Sequence, residues 1–358
     1  MALLIFLVIL GILILVHEYG HFLFARRGGV KVENFSIGFG PQLFCSKREG
    51  TEYRINAIPL GGYVKMAGDS REDYKGEPNE YFSKAPGVRA RIVFAGPLLN
   101  YLLGFLLFWL ILFVGNPTLT TKVGGLVEGF GAEQAGIREG DRIIAVDGEE
   151  VAYWEELLKV IREKEASSLV DLSVVRDERE RTIKVRLKEK ELDTVFGEKK
   201  SVSLIGIIPG DEIVSVKYGF LKSFPLAAGE VVGLTTLTYK ALWRMVIGRM
   251  SVRESVTGPL GIFFIASKTA SLGVVALLKF MAILSISLAI FNLLPLPVLD
   301  GGHLVLLAVE RIRRRALSLK VERVISQVGI TMIVSLALFV TYNDFLKFGD
   351  KILKWFTR

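Results

Sequence analysis

Apolar residues in this chain fall into four long blocks, separated by segments with other hydrophobic patterns. A helix needs about 20 mostly apolar residues to cross a bilayer, and the blocks reach or approach that length. Lys279 in the third block is compatible with a span because a lysine near a helix end can extend its amine to the interface. We therefore predict a polytopic α-helical membrane protein with about four transmembrane helices, at residues 2–24, 92–114, 272–294 and 324–342.

The segment between the first two blocks has a β pattern. Residues 30–66 are rich in Val, Ile, Phe and Tyr and are interrupted by glycines and a proline, which favours short strands with tight turns. Residues 68–80 are polar and predict a mobile loop. We expect a membrane-associated β element on the cytoplasmic side, within residues 30–91.

The segment between the second and third blocks starts with a soluble pattern. Strand patterns at residues 170–175 and 182–187 accompany one helical stretch at 153–163, which predicts a compact α+β domain at 120–210. Residues 211–271 carry a helical amphipathic pattern that predicts helices lying along the membrane surface or against the spans. The remaining predicted parts are the first helix with its flank at 1–29, the third helix with its following motif at 272–303, a basic cytoplasmic loop at 304–323, and the fourth helix with a tail at 324–358.

Arginines flank the apolar blocks and predict how the helices are oriented. Positively charged residues favour the cytoplasmic side of membrane helices. The arginines follow the first block (Arg26, Arg27), precede the second (Arg89, Arg91) and lie between the third and fourth (Arg311, Arg313, Arg314, Arg315). Residues 122–270 are therefore expected outside the cytoplasm.

Charge and cysteine content narrow the class of protein further. The net charge of +8 fits basic residues that face anionic lipid, and no basic stripe interleaved with aromatic residues indicates nucleic-acid binding. Cys45 is the single cysteine, so an intrachain disulfide and a cysteine-based zinc cluster are excluded.

A metal-binding motif lies in the first apolar block. His17 and His21 are four residues apart in His-Glu-Tyr-Gly-His, so both imidazoles share one helical face, and Glu18 lies beside that face where it can take a proton from an attacking water. A signal peptide would have its cleavage site at this cluster, so we interpret the block as a retained helix. Two hydrogen-bonded core histidines are the alternative interpretation. Three ionisable residues within about two turns at membrane depth favour a bound cation instead.

The third metal ligand must come from elsewhere in the chain. The third block ends in Asn-Leu-Leu-Pro-Leu-Pro-Val-Leu-Asp-Gly-Gly-His, in which two prolines end the helix and two glycines permit a close backbone approach. Irregular backbone at membrane depth is expected only where protein buries it or where it lines a wet cavity. On chemistry alone, either Asp300 or His303 can be the third ligand.

Together, these two motifs resemble those of the site-2 protease family of intramembrane zinc metalloproteases, of the bacterial regulator-of-sigma-E type. The stretches Ala95-Gly96-Pro97-Leu98-Leu99-Asn100 and Gly258-Pro259-Leu260-Gly261 also look like family features. The resemblance implies that one Zn²⁺ is bound by His17, His21 and Asp300, and that Glu18 is the catalytic base. It also implies that Asn292 holds the substrate backbone, that Pro295 and Pro297 shape the site, and that the β element pairs with an unwound substrate strand.

The soluble segment carries a second resemblance. Residues 136–148, Gly-Ile-Arg-Glu-Gly-Asp-Arg-Ile-Ile-Ala-Val-Asp-Gly, are similar to the core signature of PDZ domains in such proteases. PDZ domains bind an extended chain end by strand addition, and a gating role is equally compatible with this position. Related proteases often carry two tandem PDZ domains, whereas this chain has room for one.

The resemblance implies an endopeptidase of the bacterial cytoplasmic membrane with the PDZ-like domain outside the cytoplasm. Its partners would be the lipid bilayer and single-span membrane proteins already cut by another protease, such as anti-sigma factors, or remnant signal peptides. The first alternative is a catalytically inactive membrane scaffold that binds partners through its PDZ domain, and such a protein would not need Glu18. A metal transporter could use two histidines and an aspartate, but it would need neither Glu18 nor the PDZ-like domain.

Overall fold

The computed structural model describes residues 2–165, 167–193, 199–315 and 317–356. The chain forms two compact units. The first contains Met1–Ile111, Ser223–Leu242 and Val252–Arg358, and the second contains Leu112–Lys222 and Trp243–Ser251.

The helices and strands alternate unevenly along the chain. The N-terminal part contains α1 (Ala2–Arg27), β1 (Val32–Arg48), β2 (Thr51–Met66), a 3₁₀ turn (Tyr81–Ser83) and α2 (Pro86–Val114). The middle contains β3 (Asn116–Leu119), β4 (Val123–Leu126), α3 (Gly131–Gln134), β5 (Arg142–Val146), β6 (Glu149–Glu150), α4 (Trp154–Glu163), β7 (Leu169–Arg176), β8 (Arg179–Arg186), β9 (Lys188–Asp193), β10 (Lys199–Leu204), β11 (Ile207–Pro209) and β12 (Ile213–Val216). The C-terminal part contains α5 (Phe220–Val246), α6 (Val252–Ser255), α7 (Pro259–Ser271), α8 (Val274–Asn292), α9 (Asp300–Arg313) and α10 (Leu319–Phe356).

Four of these helices, α1, α2, α8 and α10, are long and apolar enough to cross a membrane. They coincide with the four predicted blocks, and all but α8 extend beyond them. The extensions arise because charged and polar residues at helix ends, such as Arg26, Arg27 and Glu322, continue the helical backbone past the apolar stretch. Because it has several helices of this kind, the chain is a polytopic membrane protein.

The β element consists of two long strands that are bent at glycines, so that its paired stretches are short, as the sequence pattern predicted. Residues 32–37 of β1 pair with residues 62–66 of β2 on one side and with residues 52–55 on the other. The distal residues 42–48 of β1 pair with 51–56 of β2. Gly38 and Gly40, with φ of 84° and 83°, let β1 bend between its two paired stretches. Residues 62–66 therefore form an outer edge of this sheet, and we call them the edge segment.

The predicted loop at 68–80 contains no strand, and the carboxylate of Glu80 organises its end. This side chain is buried and accepts hydrogen bonds from the backbone amides of Lys75, Gly76 and Glu77. Three amide donors compensate for the burial of the carboxylate.

The second unit has its own core. Its largest sheet has the strand order β6-β5-β7-β8, and α4 buries Leu157 and Ile161 in the same apolar cluster as Ile143 and Leu172. The predicted strands and the predicted helix at 153–163 correspond to β7, β8 and α4. The unit is an α+β fold, as expected for a PDZ-like domain.

One connecting segment is more helical than predicted, and another contains a helix as predicted. The predicted basic loop at 304–323 is helical up to Arg313 and again from Leu319, because apolar residues such as Leu307 bury one face of α9. Within the predicted membrane-surface region, Phe220–Val246 forms one continuous helix in spite of Pro225. Pro225 lies near the N-terminus of that helix, where fewer hydrogen bonds are lost.

Candidate metal centre

The paired histidines of α1 lie where α1 contacts α2 backbone to backbone. His17 and His21 are one turn apart, and their Nε2 atoms are 3.2 Å apart. Gly20, on the same helix, has no room for a side chain, since a Cβ there would lie 2.7 Å from the carbonyl carbon of Ala95. The glycine therefore permits a helix crossing close enough for α2 to contact both imidazoles.

The turn between α8 and α9 presents the third polar group. Gly301 and Gly302 lie directly against backbone carbonyls of this turn, where any Cβ would overlap the carbonyls of Leu293 and Leu296. Val298 has a φ of 78°, a left-handed conformation that is costly for a β-branched residue. Asp300 is thereby fixed in the first turn of α9, where the positive end of the helix dipole favours a carboxylate.

The two motifs meet in the folded chain. The Nε2 atom of His17 is 3.1 Å from Oδ2 of Asp300, and the Nε2 atom of His21 is 3.6 Å from Oδ1. The three candidate ligand atoms lie within 4.8 Å of one another, and His17 is buried. His303 is exposed and lies outside this group, so the structure brings Asp300 to the histidines in preference to His303.

The donor set fits a divalent cation. Nδ1 of His21 lies 2.9 Å from the carbonyl oxygen of Ile92 and therefore carries the hydrogen. The Nε2 atom of His21 then presents a lone pair towards Asp300. Oδ2 of Asp300 is buried and accepts no hydrogen bond. The imidazole lone pairs and the carboxylate oxygens are all electron-rich, so they repel one another when no hydrogen lies between them. A cation bound by all of them removes that repulsion. Two imidazoles and a carboxylate are a typical catalytic zinc set.

Glu18 lies beside this cluster and against the edge segment. Its carboxylate lies near the backbone of Val64 and close to His21 and Asp300. A Cβ on Gly62 would lie 3.5 Å from Cγ of Glu18. The edge segment thus runs alongside the group that we expect to be the base, a juxtaposition that the sequence did not indicate.

The remaining predicted site residues lie at the end of α8 and in the turn that follows it. Nδ2 of Asn292 is 3.5 Å from Nε2 of His17, so this amide borders the cluster. Pro297 packs against Gly329 of α10, where a Cβ would be 2.9 Å from the backbone of Pro297. Pro295 is exposed in the turn.

Two residues of α2 complete the centre, although sequence reasoning gave them no role. A Cβ on Gly96 would lie 2.6 Å from Cε1 of His21 and 2.9 Å from Cε1 of His17. The carboxamide of Asn100 is fully buried, and its nitrogen lies 3.4 Å from Nδ1 of His17, while its oxygen has no partner. A histidine that binds a metal through Nε2 carries its hydrogen on Nδ1 and needs an acceptor there. If the carboxamide of Asn100 is rotated by 180°, its oxygen is that acceptor. The signal was present in the stretch from Ala95 to Asn100, but only the fold shows what it contacts.

Comparisons with known proteins show the family of this chain. The chain matches Peptidase family M50 over residues 5–336. Zinc metalloprotease RasP of Geobacillus kaustophilus is 31% identical, with 96% of this chain and 97% of that protein covered. Regulator of sigma-E protease RseP of Escherichia coli is 30% identical, with 95% of this chain and 97% of that protein covered. The alignment with the E. coli protein runs over 444 positions, so that relative contains residues without a counterpart among the 358 residues here.

Among solved structures, the PDZ domain of the SdrC-like protein from Listeria innocua covers 26% of this chain and 96% of its own, at 22% identity and a TM-score of 0.21.

The match to the family extends over most of the chain, from α1 into α10, and includes both halves of the metal centre. The protein therefore belongs to peptidase family M50, the site-2 proteases, and is a membrane-bound zinc metalloprotease of the regulator-of-sigma-E type.

Proposed function

We propose that this protein is an intramembrane endopeptidase that cuts single-span membrane proteins within the bilayer. The observation that carries the proposal is the convergence of His17, His21 and Asp300 from two distant apolar segments, with Glu18 beside them. Ionisable groups at membrane depth are costly and mark functional sites by default.

His17, His21 and Asp300 would hold one Zn²⁺. When bound, zinc supplies Lewis-acid chemistry, which withdraws electron density from the scissile carbonyl and from the attacking water. Glu18 takes a proton from that water and afterwards delivers it to the departing amine. Asn100 and the Ile92 carbonyl orient the two imidazoles through their Nδ1 atoms.

The edge segment is the candidate site for the substrate backbone. Its inner side pairs with residues 32–37, and within the described residues no strand pairs with its other side. Glu18 lies beside this segment. A substrate that has lost its helical hydrogen bonds can regain them by strand addition here. Asn292, at the border of the cluster, is suited to hold the substrate main chain, and Pro295 and Pro297 keep the turn in shape.

The substrates would be anti-sigma factors or remnant signal peptides. The E. coli relative carries the name regulator of sigma-E protease, which favours the first class. A first cleavage of the substrate by another protease would leave one transmembrane helix with a short segment outside the membrane. The PDZ-like unit would contact that extended end or exclude substrates with bulky outer domains, from a position outside the cytoplasmic membrane.

The test is a Glu18→Gln variant with a Glu77→Gln control, which changes an exposed glutamate. We expect Glu18→Gln to retain stoichiometric zinc and to cleave a tagged single-span substrate about 10²- to 10⁴-fold more slowly. Glu77→Gln should cleave at the normal rate. Normal cleavage by Glu18→Gln would show that the base is assigned wrongly. A wild-type protein that carries zinc but cleaves nothing in a panel of such substrates would favour a scaffold.

A further inference from the structure

A basic cavity lies between α2 and α9, away from the metal centre. Its volume is about 530 Å³, and it is lined by the first turn of α2 and by the end of α9. Four guanidinium groups surround it, and we call it the arginine cavity: Arg91, Arg311, Arg314 and Arg315. Its volume is within the usual range for small-ligand sites, about 300–1,000 Å³.

The one carboxylate in the arginine cavity is already neutralised. Glu310 pairs with Arg89, whose side chain is 4% exposed and whose Nε also donates to the Lys84 carbonyl. Arg89 lies over the ring of Phe82 as well, so its position is fixed. Glu310 is therefore not available to balance the four surrounding arginines.

Those four arginines place four positive charges around the arginine cavity. Across the part of the chain that the structure describes, none of them forms an ion pair with a carboxylate, and Arg91 only donates Nε to the Gly87 carbonyl. Like charges that converge without a counter-ion repel one another, and because all four side chains are exposed, solvent screens part of this repulsion. Guanidinium groups bind phosphate oxygens in a bidentate manner, and they are preferred where such recognition is needed.

The depth of the cavity identifies the source of the phosphate. It surrounds the start of α2, a candidate membrane span whose apolar residues begin at Ile92, only one residue after Arg91. A change from arginine to a continuous apolar stretch is expected where a helix passes from the headgroups into the hydrocarbon region. Basic pockets at this level between membrane helices are suited to anionic lipid headgroups.

We propose that the arginine cavity binds the phosphate headgroup of an anionic glycerophospholipid. The acyl chains would lie along the apolar surface of α2, and the headgroup would bridge α2 and α9. Because α9 begins with Asp300, the lipid would stabilise the packing of the helix that carries the carboxylate of the metal centre.

The test measures lipid binding and needs no protease activity, so its result is independent of the proposed function. Purified full-length protein in a neutral detergent is titrated with phosphatidylglycerol, phosphatidylcholine or inorganic phosphate, and bound lipid is counted by native mass spectrometry. The variant is Arg311→Gln/Arg315→Gln. The matched control is Arg27→Gln/Arg48→Gln, which removes two exposed arginines elsewhere in the same unit.

We expect one tightly retained phosphatidylglycerol per chain, weaker retention of phosphatidylcholine, and an affinity for phosphatidylglycerol lowered about tenfold or more in Arg311→Gln/Arg315→Gln. The control should bind as the wild type does. Equal retention of both lipids, or equal loss in variant and control, overturns the proposal. Inorganic phosphate that competes fully with the lipid overturns the lipid assignment in favour of free phosphate. An unchanged thermal midpoint in phosphatidylcholine verifies that the variant is folded.

Discussion

At the scale of single residues, the metal centre depends on the absence of side chains as much as on their presence. His17 and His21 can point at Asp300 only because Gly20 and Gly96 let α1 and α2 approach closely. Asn100 then lies under His17, where an amide can orient the imidazole.

Gly96→Ala tests this dependence. The new methyl group would lie closer to both imidazole rings than real Cβ atoms approach other groups, so the rings must move. We expect zinc affinity to fall about 10- to 100-fold, the range seen when groups around metal ligands are disturbed. Zinc per chain after dialysis against a graded chelator measures this effect.

Gly11→Ala is the matched control, since a Cβ on Gly11 meets no atom within 4 Å. It should leave zinc affinity unchanged. Equal zinc affinity of Gly96→Ala and wild type would mean that the rings do not occupy the positions described.

At the scale of elements, buried polar groups connect helices that are apolar elsewhere. Asp344 on α10 is fully buried and accepts hydrogen bonds from the amides of Gly258 and Gly261 at the start of α7. Asn343, next to it, donates to the carbonyl of Arg253. α7 also packs against α1, so these bonds support the helix that carries the two histidines.

Asp344→Ala should destabilise the first unit. It leaves two amides without their acceptor in a buried position, which costs about 2–3 kcal/mol for bonds to a charged group. We expect a lower thermal unfolding midpoint in detergent, while Gln327→Ala, an exposed change on the same helix, should have little effect. A midpoint equal to that of wild type would refute the capping role of Asp344.

The sequence patterns predicted the membrane helices and part of the metal centre, but not the contacts between distant elements. The four apolar blocks predicted α1, α2, α8 and α10, because the length of a span follows from the bilayer. The pairing of the two motifs predicted that His17, His21 and Asp300 meet, and the fold brings them together. The roles of these residues stay predictions. The edge segment beside Glu18 and the contact of Gly96 with the imidazoles were not predictable, because both depend on the distance between elements far apart in sequence.

At the scale of the whole molecule, an α+β unit is inserted in the sequence between the apolar helices and has a core of its own. Asp141 is buried in that unit and receives two hydrogen bonds from the guanidinium of Arg176. Burial raises the pKa of the Asp141 carboxyl, but the bonds from Arg176 and from the Arg138 amide outweigh burial and leave it below its usual value of 3.8.

The sign of this shift sets the pH dependence of the second unit. A carboxyl whose folded pKa is lowered stabilises the fold fully above its usual pKa, and this contribution is lost as the pH falls through the lower folded value. We expect the stability of the unit to decline below about pH 4 in the wild type. Asp141→Asn should be less stable by about 2–3 kcal/mol at pH 7 and should lose less on acidification.

Hydrogen exchange of peptides from β5 and β7 in the full-length protein measures this stability, with labelling at one fixed pH after incubation at each test pH. Asp171→Asn is the control, since the side chain of Asp171 is half exposed and its pairing with Lys184 is weak. If Asp141→Asn exchanges like the wild type at pH 7, the buried pair does not stabilise the unit.

The unpaired side of residues 62–66 has a consequence for substrate choice. Amides and carbonyls recognise any extended main chain alike, whatever side chains it carries. Selection would then depend on how readily a transmembrane segment unwinds, and glycine or proline near the scissile bond would matter more than a consensus motif. Unrelated segments of equal helix propensity should be cut at similar rates, so the enzyme would process a broad repertoire of clients.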